Sequence, residues 1–197
     1  MKSLSKKLMM ALAMLLSTSS FAASGEGVVM EVTGSNTFKL ILSDLREGLT
    51  VQLKDQYGYT LHQETIQSVA TYGKQFNLSE LPNGQYFVEL NYTTKVEVYP
   101  LTISNGQVNV KTNEVKEVFK PVLNVNGDFI SVTHLAPRKS ALKVMIYDQD
   151  QKLLLTDTVS GAISLGKIYD VSQLKPGQYQ VYLASEGRNY QHDLRLQ

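Results

Sequence analysis

Apolar and polar residues alternate along Leu-Thr-Val-Gln-Leu (49–53), Tyr-Phe-Val-Glu-Leu (86–90) and Lys-Val-Glu-Val-Tyr (95–99), and again along 142–146, 179–183 and 193–196. A period of two sends successive side chains to opposite faces of an extended chain, so each stretch predicts a β-strand with one face buried. Turn formers punctuate the pattern: Asp55 to Gly58, Pro82-Asn83-Gly84, Asn105-Gly106, Asn126-Gly127-Asp128, Asp148 to Gln151, and Lys175-Pro176-Gly177. Asn-Gly between alternating runs is a strong hairpin signal, and residues 107–110 are expected as a further strand after it. After residue 22 no stretch holds a 3.6-residue apolar period for two turns. The nearest, 113–120, is short, uncapped and ended by Pro121, so the fold class is all-β.

One phrase is written twice. Leu81, Gly84, Gln85, Tyr86, Val88 and Leu90 return as Leu174, Gly177, Gln178, Tyr179, Val181 and Leu183, each 93 positions later. Residues 49–90 laid on 142–183 without a gap share 15 identities in 42 positions. Such a period exceeds the roughly 20–50 residues of a solenoid unit and equals a small domain. The chain is therefore expected to hold two tandem copies, 23–112 and 121–197, joined by a charged, glycine-free linker at 113–120. Six or seven short antiparallel strands per copy describe an immunoglobulin-like β-sandwich, and Leu-x-x-Gly-x-Tyr fits its tyrosine corner. In that device the hydroxyl of Tyr86, or of Tyr179, bonds the backbone a few residues upstream. The repeated phrase reads as a folding device used once per copy.

The N-terminus is set apart. Lys2, Lys6 and Lys7 precede nine apolar residues, Leu8 to Leu16, and small residues follow. This is the layout of a secretory signal peptide spanning 1–22, with cleavage after Ala22. The run is too short for a membrane span, which needs about 20 apolar residues. Removing three lysines takes the formal charge from +1 to −2, and nothing in that balance calls for nucleic acid. The chain has no cysteine, so an exported form must stand on hydrophobic cores without disulfides.

Chemistry is sparse. His62, His134 and His192 read as three separate surface histidines, far from the three or four converging ligands of a metal site. Asp148, Asp150 and Asp128 sit in turns whose backbone their side chains can satisfy without calcium. There is no nucleophile elbow and no phosphate loop. Neither an enzyme, a cofactor nor a metal is expected. Tyrosine, with eleven copies, is the enriched aromatic. Tyr57, Tyr59 and Tyr72 fall in loops of the first copy where the second has Asp150, Lys152 and Leu165, and they are the candidate partner-binding residues.

The segments "GKIYDVSQLKPGQYQVYL" and "GKQFNLSELPNGQYFVEL" resemble small immunoglobulin-like domains of secreted Bacteroidetes proteins. These include domains of unknown function and the C-terminal sorting domains of type IX secretion cargo. The resemblance implies export and fold more than activity. The expected function is an exported, non-catalytic two-domain protein serving binding, adhesion or envelope structure, with a protein or glycan of the cell envelope as partner. Two alternatives stand beside it: an accessory or catalytic module with a site at the interdomain cleft, and a secretion-sorting module.

Overall fold

The computed structural model describes residues 27–43, 45, 48–67 and 70–196. The expected signal peptide, with its cleavage after Ala22, lies outside them. The described chain is built from antiparallel strands, as the period of two requires.

In the first half, β1 (Val28–Gly34), β2 (Thr37–Ser43) and β5 (Thr71–Asn77) form one sheet in the order β1-β2-β5. The second sheet runs β4 (Thr60–Ile66), β3 (Leu49–Asp55), β6 (Gly84–Asn91), β7 (Lys95–Ser104) and β8 (Gln107–Val110). The inward residues of both sheets share one core, in which Phe38, Leu40, Leu42, Val51, Leu90 and Leu101 are fully buried. In the second half, β10 (Val122–Asn126), β11 (Phe129–Leu135) and β14 (Ser164–Asp170) face β13 (Leu153–Val159), β12 (Leu142–Asp148), β15 (Gly177–Ser185) and β16 (Arg188–Leu196). Ile130, Val132, Val144, Val181 and Leu183 fill that core. Each half is an immunoglobulin-like sandwich of a three-stranded and a larger sheet.

Strands 93 residues apart hold the same places. Leu49 pairs Ile66 as Leu142 pairs Val159, and Val51 pairs Leu90 as Val144 pairs Leu183. Both tyrosine corners form. Tyr86 donates its hydroxyl to the Pro82 carbonyl at 2.8 Å, and Tyr179 donates to Lys175 at 2.7 Å. The side of each sandwich between β4 and β5, or β13 and β14, is bridged by a salt link, Lys74–Glu64 in one and Lys167–Asp157 in the other.

The offset fails in one strand. Phe38 pairs Phe76 in the first sandwich, but it is Ile130, 92 positions on, that pairs Tyr169 in the second. β1 carries one extra residue in a bulge between Val32 and Gly34 that β10 lacks, and the loop after β11 is one residue longer than the loop after β2. A slip of one residue moves a strand's side chains to the other face. His134, expected at the surface, therefore takes the place of Leu42 and is 3% exposed. Its Nε2 pairs with Ser185 Oγ at 3.1 Å, while Ser185 donates to the Ala141 carbonyl at 3.0 Å. Since Ser185 has one hydroxyl proton, Nε2 carries the hydrogen and Nδ1 is bare, with no partner among the described residues. Burial holds the imidazole below its ordinary pKa.

Of segment 113–120, read as the linker, residues Lys116–Phe119 form a further strand, β9. It lies antiparallel on β7, with Lys95 opposite Phe119 and Val96 opposite Val118. The outer edge of β7 is thus occupied along most of its length, by β8 at one end and β9 at the other. Val96 and Val118 are 1% and 3% exposed, yet neither belongs to either sandwich core. They lie on the outer face of their sheet, where the second sandwich meets the first.

Candidate functional site

The three candidate tyrosines take separate positions. Tyr57 and Tyr59 sit at the tip of the β3–β4 hairpin and are 77% and 71% exposed. Asp55 sets that tip: its Oδ1 accepts from the amides of Tyr57 and Tyr59, both at 2.9 Å. Gly58, at φ 88°, takes the left-handed turn that lets the chain return. Tyr72 stands on β5, half-buried against the first core, and donates its hydroxyl to Glu64. Burial first, and then the Glu64 carboxylate, push the Tyr72 hydroxyl far above its usual range. It belongs to the Lys74–Glu64 cluster, whereas Tyr57 faces the junction.

At that junction a groove of about 380 Å³ opens between the β3–β4 hairpin and the β15–β16 hairpin. Tyr57 and Phe87 line it from the first sandwich, Val98 and Val118 from the β7–β9 pair, and Glu186 and Arg188 from the second sandwich. Both sandwiches contribute, so neither would form the site alone.

Two ionic clusters hold the groove together. Arg188 donates to Glu89 through Nη2 at 2.6 Å and Nη1 at 3.2 Å, and Lys54 reaches the same carboxylate at 2.8 Å. The Glu89 side chain is only 7% exposed. Its burial alone would raise the pKa, but the bonds from Arg188 and Lys54 outweigh that and hold the carboxyl below its usual value. Glu186 forms the second cluster, paired to Arg138 and 3.9 Å from Lys116. Arg138 also donates to the Glu117 carbonyl at 3.0 Å, tying the second sandwich to β9.

Glu186 is unusual in two respects. Its side chain is 3% exposed, and its Oε1 is buried with no hydrogen-bond partner among the described residues. Its backbone is also left-handed: Glu186-Gly187 turns with φ 52° and 74°, as Asn105-Gly106 does with 50° and 69°. A two-residue turn of that kind prefers Asn-Gly. A residue without that tolerance costs about 1–3 kcal/mol in such a conformation.

A second concavity, about 350 Å³, lies on the second sandwich between Gln149, Gln151, Gln178, Gln180, Asp193 and Arg195. Among the described residues, no group of three or more His, Cys, Asp or Glu is placed to hold a metal ion, and no helix is long and apolar enough to cross a membrane.

Fold and junction together define a strand-built protein with two immunoglobulin-like sandwiches that share one groove. Residues 33–104, most of the first sandwich, match the family model described as a secretion system C-terminal sorting domain. The resemblance read from the sequence stands, and the match falls on the first sandwich. Among solved structures, a "Biofilm associated protein - BSP domain" is 16% identical with a TM-score of 0.30, covering 86% of this chain and 29% of its own. The FN1-FN3 domains of chicken CNTN1 are 11% identical with a TM-score of 0.31, covering 90% of this chain and 67% of theirs. A beta-glucuronidase of Parabacteroides merdae is 11% identical with a TM-score of 0.29, covering 82% of this chain and 28% of its own. No curated protein matches the chain.

Sequence reasoning missed Glu89, Arg188 and Glu186. One signal was available for the first: Glu89 interrupts an otherwise apolar phrase where the second copy has Tyr182. Arg188 and Glu186 lie at a hairpin tip, where charge is ordinary, and only the docking of the sandwiches gives them meaning.

Proposed function

We propose that this chain is an exported, non-catalytic protein that binds a partner of the cell envelope through the groove between its two sandwiches. The observation that carries the reading is the groove itself, lined from both sandwiches, walled by the exposed Tyr57 and fixed by the buried Glu89–Arg188 pair. Binding sites concentrate where domains meet and rigid elements present aromatic side chains. Export is supported by the N-terminal signal-peptide pattern and by the match to a sorting-domain model. The test is affinity capture from envelope extract with the exported chain and its Tyr57→Ala variant. A saturable partner that the variant fails to retain supports the reading. Capture of no partner, or of one indifferent to Tyr57, removes it.

The match over 33–104 favours one second reading, a secretion-sorting module. Residues 23–120 fused to a periplasmic reporter would carry it to the cell surface or medium if that reading holds. A reporter retained in the periplasm excludes it.

A further inference from the structure

We propose that a second copy of this chain pairs with the outer edge of β16, antiparallel about a twofold axis through Leu194, so that Asp193 of each copy lies opposite the partner's Arg195. This surface is separate from the junction groove and independent of what the groove binds.

The two sandwiches differ at this edge. β7 and β16 hold the same place, and β7 has its outer edge occupied by β8 and β9. Among the described residues, no strand lies on the outer edge of β16. In the first sandwich β8 also helps to close the gap between the sheets: Val108 is buried in the core, and its amide donates to the Ser35 carbonyl at 2.7 Å. Ile103 and Met30 of that sandwich are 4% and 9% exposed, whereas their counterparts Leu196 and Leu123 are only partly buried. An open edge is a row of unpaired amides and carbonyls, a template for another strand. β16 is nine residues long, longer than any other edge strand described, and it pairs β15 without a bulge. The first sandwich shows which way its backbone faces. Lys111 donates to the Pro100 carbonyl at 2.9 Å, so position 100 faces the edge, and so do its counterpart Asp193 and, two residues on, Arg195. Asp193 also supplies the amide that Pro100 lacks.

Charge selects the occupant and its register. Asp193 and Arg195 are both exposed on the outer face of the sheet. In an antiparallel pair, edge-facing residues must meet edge-facing residues. An axis through Asp193 or Arg195 would set like charges face to face, and one through His192 would leave both charges unmatched. An axis through Leu194 sets Asp193 opposite the partner's Arg195 in both halves of the pair. Opposed residues stand about 4.5–5.5 Å apart at Cβ, where opposite charges favour pairing and like charges oppose it. The strand is therefore its own complement. On the inner face Leu194 meets the partner's Leu194, and Leu196 meets the partner's His192. Val110 and Val108 stand in the same way against Leu101 and Ile103 in the first sandwich. The overlap takes in residues 192–196, which leaves Arg188 and the junction outside it.

Sedimentation velocity of the exported chain, over a concentration series reaching the millimolar range, is expected to show a reversible dimer. Arg195→Asp and Asp193→Arg each set like charges in both pairs and should weaken it about tenfold or more. The double swap restores opposite charges in both pairs, and so does a mixture of the two single variants. Each should recover the dimer. Asp193→Pro gives β16 the residue type that β7 already carries at Pro100, so it should stay folded by circular dichroism and be monomeric. A chain that is monomeric throughout overturns the proposal. So does a dimer that survives the single substitutions, or a loss that neither the swap nor the mixture recovers. A monomeric chain that instead captures a different protein, in a manner lost with Asp193→Pro, overturns the second copy as the occupant of the edge.

Discussion

Arg188 of the second sandwich grips Glu89 of the first through both of its terminal nitrogens, at 2.6 and 3.2 Å, across a sequence separation of 99 residues. Removing one partner of a buried pair leaves the other charge stranded, at a cost of about 3–5 kcal/mol. Lys54 remains to compensate Glu89, so Arg188→Ala should cost less, about 1.5–3 kcal/mol, the value of hydrogen bonds to a charged group. The two sandwiches should also lose their fixed relation. Small-angle scattering and the splitting of one calorimetric transition into two would register this. An unchanged profile would mean the pair contributes nothing to the junction.

The same carboxylate sets an acid limit. Its pKa is held below the free value, so its stabilisation is fully present above about pH 4.3 and is lost as pH falls through the folded value. Denaturant midpoints of the native chain should therefore drop in that acid window. Glu89→Gln should be less stable at neutral pH and flatter in acid.

His134 adds a second, separate window. Its folded pKa is depressed, so the unfolded chain binds the proton more readily, and stability falls as pH drops below about 6.5. His134→Leu restores the residue type that the first sandwich has at Leu42. It should abolish this part of the pH dependence while leaving the Glu89 window in place. Denaturant midpoints measured between neutral and pH 5 decide it: a slope that persists in the variant excludes His134 as its source.

The tyrosine corners give a graded set. Tyr86→Phe and Tyr179→Phe each delete one hydrogen bond and keep the ring, a loss of about 0.5–1.5 kcal/mol. The alanine variants remove a buried aromatic, about 3–5 kcal/mol. Tyr59→Ala, at an exposed tip, should stay within about 0.5 kcal/mol. Urea melts of the five variants should place Tyr59→Ala as the least costly, the two phenylalanine variants next and the two corner alanine variants as the most costly. Equal losses for Tyr59→Ala and Tyr86→Ala would contradict the corner.

The strands, both corners and their spacing were legible because alternation and turn chemistry are local. Tyr86 and Tyr179 could be placed from six neighbouring residues. His134 could not, since two compensating one-residue changes on either side of β11 leave the surrounding frame intact while turning that strand over. β9 escaped for a different reason. Lys116-Glu117-Val118-Phe119 is four residues long and half charged, with a single fully buried member, and it is a strand because β7 offers it an edge. At the junction, Tyr57 was visible as an unmatched aromatic, but its relation to Glu186 depends on how two sandwiches meet. No periodicity records that.

The pairing of β9 with β7 also fixes how the molecule carries load. With residues 116–119 bound into the first sheet, only Lys120 and Pro121 separate it from the first strand of the second sandwich. Lys120 is itself tethered through a backbone bond to Thr94 and a side-chain bond to Tyr92. Tension between the two ends therefore meets a strut with almost no slack. It can lengthen only by peeling β9, whose four residues release roughly 14 Å at about 3.4 Å each. Until that point the Tyr57 and Glu186 walls keep their spacing, so an occupant would be gripped at constant width while the protein is pulled.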